Sequence, residues 1–170
     1  MYDVRVSIRL AVALTVAAVL WAGTIVLVPL AAESAPAITA TVYAISSRIC
    51  HQMPDRSFEL SGIQMPVCAR CAGLYASGAL GALLGWLVVS RIEVRRRQLL
   101  LLVAAAPTAI TWTLEFVGIM AFSNVARAVA ALPLGLVTGW VFVQLLREQP
   151  VVKRDTGCEA TEVRCKGVTE

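Results

Sequence analysis

Charge is what this sequence has least of. Only 15% of its 170 residues are Asp, Glu, Lys or Arg, against about a quarter in an ordinary soluble domain. None of them falls between Leu10 and Ala32. Such scarcity excludes an ordinary soluble fold. Aromatic residues are few as well, at 6%, and no basic patch interleaves with them, which excludes nucleic acid as a partner. Histidine occurs once, at His51. The length leaves no room for a second core.

What fills the chain instead is apolar: 58% of residues are hydrophobic, and they lie in long runs, the pattern of membrane spans. The runs predict an all-α, polytopic integral membrane protein with four transmembrane helices, at about 10–32, 67–90, 99–122 and 128–146. The first has 23 uncharged residues, roughly 34 Å as a helix and enough to cross a bilayer. Small residues follow it, as after a signal peptide, but it exceeds the usual apolar core of about 7–15 residues, so a retained helix is expected. Gly81 with Gly85, and Gly135 with Gly139, repeat a spacing that brings membrane helices close together. Pro107 predicts a kink in the third helix. One membrane domain, 1–147, is therefore expected, followed by a flexible cytoplasmic tail, 148–170.

The Cys/His loop, 33–71, is the longest polar stretch. Ser34 reads as an N-cap with Pro36 in the first turn. Ile38, Val42, Ile45 and Ile49 then mark one face of an amphipathic helix running up to Cys50. Met53-Pro54-Asp55 breaks it, Ser61-Gly62 reads as a turn, and Pro66 reads as the start of the second span. Eleven of the 15 basic residues (Arg5, Arg9, Arg91, Arg95, Arg96, Arg97, Arg147, Lys153, Arg154, Arg164 and Lys166) share one face of a four-span layout. Arg48, Arg56, Arg70 and Arg127 lie on the other. The positive-inside rule then puts both termini in the cytoplasm and the loop outward from the inner membrane.

Cys50, His51, Cys68 and Cys71 lie within 22 residues. Thiolates and imidazole suit zinc, iron or copper, and Cys68 and Cys71, three apart, can face one ion from a single helical turn. A Cys3His set results, with zinc the leading ion and iron the next. Adjacent side chains diverge, which sets Cys50 and His51 in competition as ligands. Redox chemistry ranks second: Cys68 and Cys71 open a helix beside Arg70, and both the helix dipole and the guanidinium acidify thiols. A disulfide from Cys50 to either partner ranks third, since it leaves an odd thiol. Cys158 and Cys165, in the tail, are expected to be reduced and incidental. Glu115 is an ionisable group inside an apolar run, a functional candidate by default. Arg127 lies at similar depth and Asn124 nearby, predicting either a structural pair or a polar pocket beneath the cysteines.

Two stretches resemble a known family. Cys-His-Gln-x-Pro-x-Arg-Ser-Phe (Cys50 to Phe58) and Gln-Met-Pro-Val-Cys-Ala-Arg-Cys-Ala-Gly-Leu-Tyr (Gln64 to Tyr75) are similar to the signature of the prokaryotic membrane proteins catalogued as domain of unknown function 2085. The resemblance runs from about Ser47 to Gly139. It implies a polytopic architecture and one site built on Cys50, His51, Cys68 and Cys71, with Gln52, Arg56, Arg70, Glu115, Asn124 and Arg127 as its polar surroundings. It carries no activity. The layout is also similar to the quinone-coupled thiol oxidases of the bacterial periplasm, which would make Cys68 and Cys71 catalytic and a quinone the cofactor. Those proteins have a second cysteine pair, whereas Ala121 to Arg127 has none. The expectation is thus a membrane protein with an outward metal centre, with a thiol-disulfide oxidoreductase as the alternative. A small transporter or scaffold subunit, working as a homo-oligomer or with a membrane partner protein, comes after both.

Overall fold

The structure, a computed structural model, describes residues 4–88 and 92–147, with side chains from Ser7 onward. The expectations for Arg5, Arg91, Cys158, Cys165 and the tail lie outside the described residues. Five α-helices and one β-hairpin appear in the order α1 (Val4–Leu30), α2 (Pro36–Ser46), a 3-10 turn (Pro54–Arg56), β1 (Ser57–Leu60), β2 (Ile63–Cys68), α3 (Ala69–Leu87), α4 (Val94–Phe116) and α5 (Asn124–Arg147). Among the described residues, three helices are long and apolar enough to cross a membrane: Ser7–Leu30 within α1, α4 and α5.

α3, at 19 residues or about 28 Å, is not one of them. It packs chiefly on α5 and then on α1. All eight of its buried residues are Ala, Gly or Ser. Small side chains let the backbone of a neighbouring helix approach closely. A Cβ on Gly81 would lie 2.0 Å from Leu136 O, and one on Gly139 would lie 2.1 Å from Gly78 O. The α3–α5 seam is therefore backbone against backbone, made by the glycine spacings noted above.

Several predicted boundaries move. The second helix begins at Ala69, not Val67, because Pro66 and Val67 belong to β2. The loop is not one helix up to Cys50: α2 stops at Ser46, and Ser57–Cys68 forms a hairpin instead. Its strands pair antiparallel, Leu60 opposite Ile63. Ser61 and Gly62 turn the chain with φ of 53° and 78°, the positive values a two-residue hairpin turn demands. Ser34 does not cap α2; Ala35 occupies that position, and Ser34 donates back to Ala31 O at 3.1 Å. The third helix ends at Phe116 rather than Phe122. Gly118 (φ 77°) closes it, with Gly118 N–H to Glu115 O and Ile119 N–H to Leu114 O, both 3.1 Å. That pair of bonds is a Schellman close, and it puts Glu115 in the last turn. The last predicted span begins at Asn124, the first residue of α5, rather than at about 128.

The core beneath the hairpin gathers Ile25 of α1, Cys50, Met65 and Val67 of β2, and Ala72 of α3. Trp21 and Tyr75 close one side edge to face, 6.2 Å between centroids. At the opposite end of the bundle, Arg147 donates to Gly85 O at 2.8 Å and stacks over Trp86, placing a cation at the negative end of α3.

Candidate functional site

Two separate pieces of chain deliver three thiols. Cys50 follows the unwound end of α2, with its N–H bonded to Ser46 O at 2.9 Å. Cys68 ends β2 and caps α3, and Cys71 lies in the first turn of α3. The hairpin carries the chain back so that the sulfurs of all three lie within 4.8 Å of one another. All are free, with Cys50 buried and the other two half-buried. The Cys68 N–H donates to Cys50 Sγ at 3.1 Å. The Cys68 thiol falls from its ordinary value to about 5. The Cys71 thiol donating to it is the largest cause. Burial opposes the fall, and the Cys71 N–H, the Cys50 thiol and the Arg70 N–H add to it.

Polar residues of the same stretch hold this geometry. Gln52 adopts φ of 50°, uncommon for a residue with a Cβ. Its Nε2 donates to Tyr43 O at 2.9 Å and Pro66 O at 2.8 Å. Gln64 Nε2 returns a bond to Gln52 O at 2.7 Å, and the Tyr43 hydroxyl donates to Gln64 O. Gln52 thus ties the Cys50–His51 segment to α2 and β2.

Below the thiols lies an ion triad. Arg127 Nε donates to Glu115 Oε1 at 2.6 Å, the expected pair. Arg70 Nη2 also donates to Glu115, at Oε2, 3.1 Å away. The Glu115 side chain is only 5% exposed, and the Phe122 N–H adds a bond at 3.3 Å. Arg127 Nη1 donates to Asn124 Oδ1 at 2.7 Å and to Asp55 O at 3.3 Å. Asn124 Nδ2 in turn donates to Ser57 O at 2.8 Å. The charges therefore join the starts of α3 and α5, the end of α4 and the base of the hairpin.

A cavity of about 180 Å³ opens between thiols and triad. Cys50, Cys68, Cys71, Arg70, Arg127 and Arg56 contribute to its wall. His51 lines it too, but is exposed and is not in the group within 4.8 Å. Ile49, Met53 and Trp112 supply its apolar wall. Trp112 and Thr111, which lies 3.5 Å from Arg70 Nη2, were not among the residues expected here. A signal existed: Thr111 and Glu115 are four apart and so share a helix face.

Residues 50–141 match the family described as "Predicted membrane protein (DUF2085)", which is more than half of the chain. The chain belongs to that family. The matched region begins at Cys50, so it takes in the hairpin, every residue of the thiol cluster and the whole ion triad. An uncharacterised protein of Methanocaldococcus jannaschii is 32% identical over 108 residues, covering 62% of this chain and 66% of that protein. One from Methanothermobacter thermautotrophicus is 36% identical over 91 residues, 52% of this chain and 78% of its own length. No solved structure matches the chain. As a DUF2085 protein with three apolar helices of spanning length, the chain is a membrane protein.

Proposed function

We propose that this DUF2085 protein is a four-span inner-membrane protein whose outward face carries a transition-metal centre, held by Cys50, Cys68 and Cys71 and completed by His51. The convergence of three free sulfurs within 4.8 Å carries the reading. Zinc–sulfur bonds of about 2.3 Å put tetrahedral ligand sulfurs about 3.8 Å apart, so the sulfurs need to close by about 1 Å at most. The charges fit as well. Three thiolates and a divalent cation total −1, beside a triad of two guanidiniums and one carboxylate that totals +1. Zinc is the ion of choice for a thiolate-rich set, with iron second. His51 sits on the rim of the same cavity and is the nearest neutral donor in sequence.

Metal analysis of protein purified without chelator tests this. About one zinc or iron per chain is expected, lost in Cys68→Ser and Cys71→Ser. Metal-free protein with a Cys68–Cys71 disulfide in the native membrane would sink the reading. One observation favours a second function in that event. The acidified Cys68 thiol beside Cys71 suits a thiol-disulfide oxidoreductase: a substrate dithiol would be oxidised by the Cys68–Cys71 disulfide, with Cys68 leaving as the stabilised thiolate, and a lipid-soluble quinone would take the two electrons and two protons as the disulfide re-forms.

A further inference from the structure

The cavity wall is one-sided in charge. Arg56, Arg70 and Arg127 all line it, and no carboxylate among the described residues does. Glu115 sits behind two of these guanidiniums and offsets one. Asp55 and Glu59, the other acidic groups of this end, are exposed and not part of the wall. Summed over Arg56, Arg70, Arg127 and Glu115, the charge is +2. A metal with three thiolates, or one thiolate without a metal, would bring it to +1; neutral thiols leave it at +2. A positive excess therefore faces the cavity whether or not the cysteines hold an ion.

Two of these guanidiniums are costly to leave uncompensated. The Arg127 and Arg70 side chains are 10% and 18% exposed, and a buried charge without a partner is strongly destabilising. Arg70 uses only Nη2, on Glu115 and Thr111, and its buried Nε has no partner among the described residues. Arg56 makes no ion pair among them and is exposed. The space is ample: about 180 Å³, where about 10–15 Å³ holds one water. Guanidiniums present planar forks that match the oxygens of a phosphate group.

We infer that this cavity is an oxyanion site, taking a phosphate group against Arg56, Arg70 and Arg127. The inference goes beyond the metal reading and does not rest on it. The phosphate group could belong to free inorganic phosphate or to a phospholipid headgroup, since Ile49 and Trp112 are more than half exposed at this end.

The test uses the full chain in maltoside micelles, which contain no phosphate. Inorganic phosphate is titrated by calorimetry, and phosphatidylglycerol is doped into a parallel sample. One saturable site per chain is expected, with sulfate competing and equal ionic strength of chloride not. Saturation by phosphate assigns the free anion; a response confined to phosphatidylglycerol assigns the headgroup. Arg56→Gln, at an exposed position, should fold as the parent does and bind about tenfold more weakly, the loss of one charge-assisted contact. Arg70→Lys should weaken binding while keeping the charge. No saturable response to either probe, or binding unchanged in both variants, would overturn the inference. The titration is repeated after chelation. Binding that persists upholds the arginine site whatever becomes of the metal centre, and binding abolished by chelator overturns it.

Discussion

Glu115 is the most consequential single residue away from the thiols. It accepts from Arg70, Arg127 and the Phe122 backbone, so removing its charge strands two guanidiniums at once. Glu115→Gln is expected to cost about 3–5 kcal/mol, the range for breaking a buried pair, read as a fall in the thermal midpoint of the solubilised protein. Replacing Glu115, Arg70 and Arg127 together by apolar residues should recover much of that stability if the triad only holds helices together. A stable triple variant that no longer functions would assign the triad to the site. The Cys68 thiol invites a second measurement. Its pKa of about 5 lies below the ordinary thiol range, so the thiolate is populated above pH 5 and lost only as pH falls through that value. In metal-free protein, alkylation of Cys68 should therefore rise near pH 5 and level off by pH 7. A profile that rises only between pH 8 and 9 would show that neighbouring donors do not stabilise the thiolate.

Helices and hairpin impose their own demands. The α3–α5 seam places Gly81 where a Cβ would meet the Leu136 carbonyl, and Gly78 where a Cβ would lie an ordinary 3.7 Å from Gly135 O. Gly81→Ala should thus separate the helices and cost about 1–3 kcal/mol, the range for overpacking. Gly78→Ala should leave the thermal midpoint near that of the parent. Equal effects at the two positions would contradict the seam as described. Gly118 is a different case. Nothing crowds it, but its φ of 77° costs a residue with a Cβ about 1–2 kcal/mol. Gly118→Ala should loosen the end of α4, and with it the Glu115 anchor.

Together, the elements put the thiols, the triad and the cavity at one end of the bundle, where α3 and α5 begin and α4 ends. The proposed topology sets that end outward. Reporter fusions after Arg95 and at the C-terminus are expected to read as cytoplasmic, following the excess of Lys and Arg at those positions. An outward reading at the C-terminus would rule out four spans. Metal removal acts on the molecule as a whole under the proposed function, because the ion would tie α2, the hairpin and α3 together. Chelation should then speed amide exchange in 47–71, with little change in α5.

Features that depend on a single stretch of chain are legible in the residues themselves. Apolar runs long enough to span lipid announce helices, because each backbone group in lipid must be satisfied within its own segment. The turn at Ser61-Gly62 follows from local backbone preference. Glycines four apart announce close packing, since a missing Cβ is a local property. That Cys50, Cys68 and Cys71 belong together is legible from their shared chemistry and rough spacing. Helix ends are less so: Gly118 is a stop signal inside an apolar run, and Pro66 fits the start of a helix as well as a strand residue. Only the tertiary structure decides which groups meet. Arg70 joins Glu115 across 45 residues, while Cys50 reaches Cys68 because a hairpin intervenes. His51, next to Cys50 in sequence, is left on the cavity rim. Residue spacing sets the direction of a side chain within its own element, but contact between elements depends on how whole faces pack.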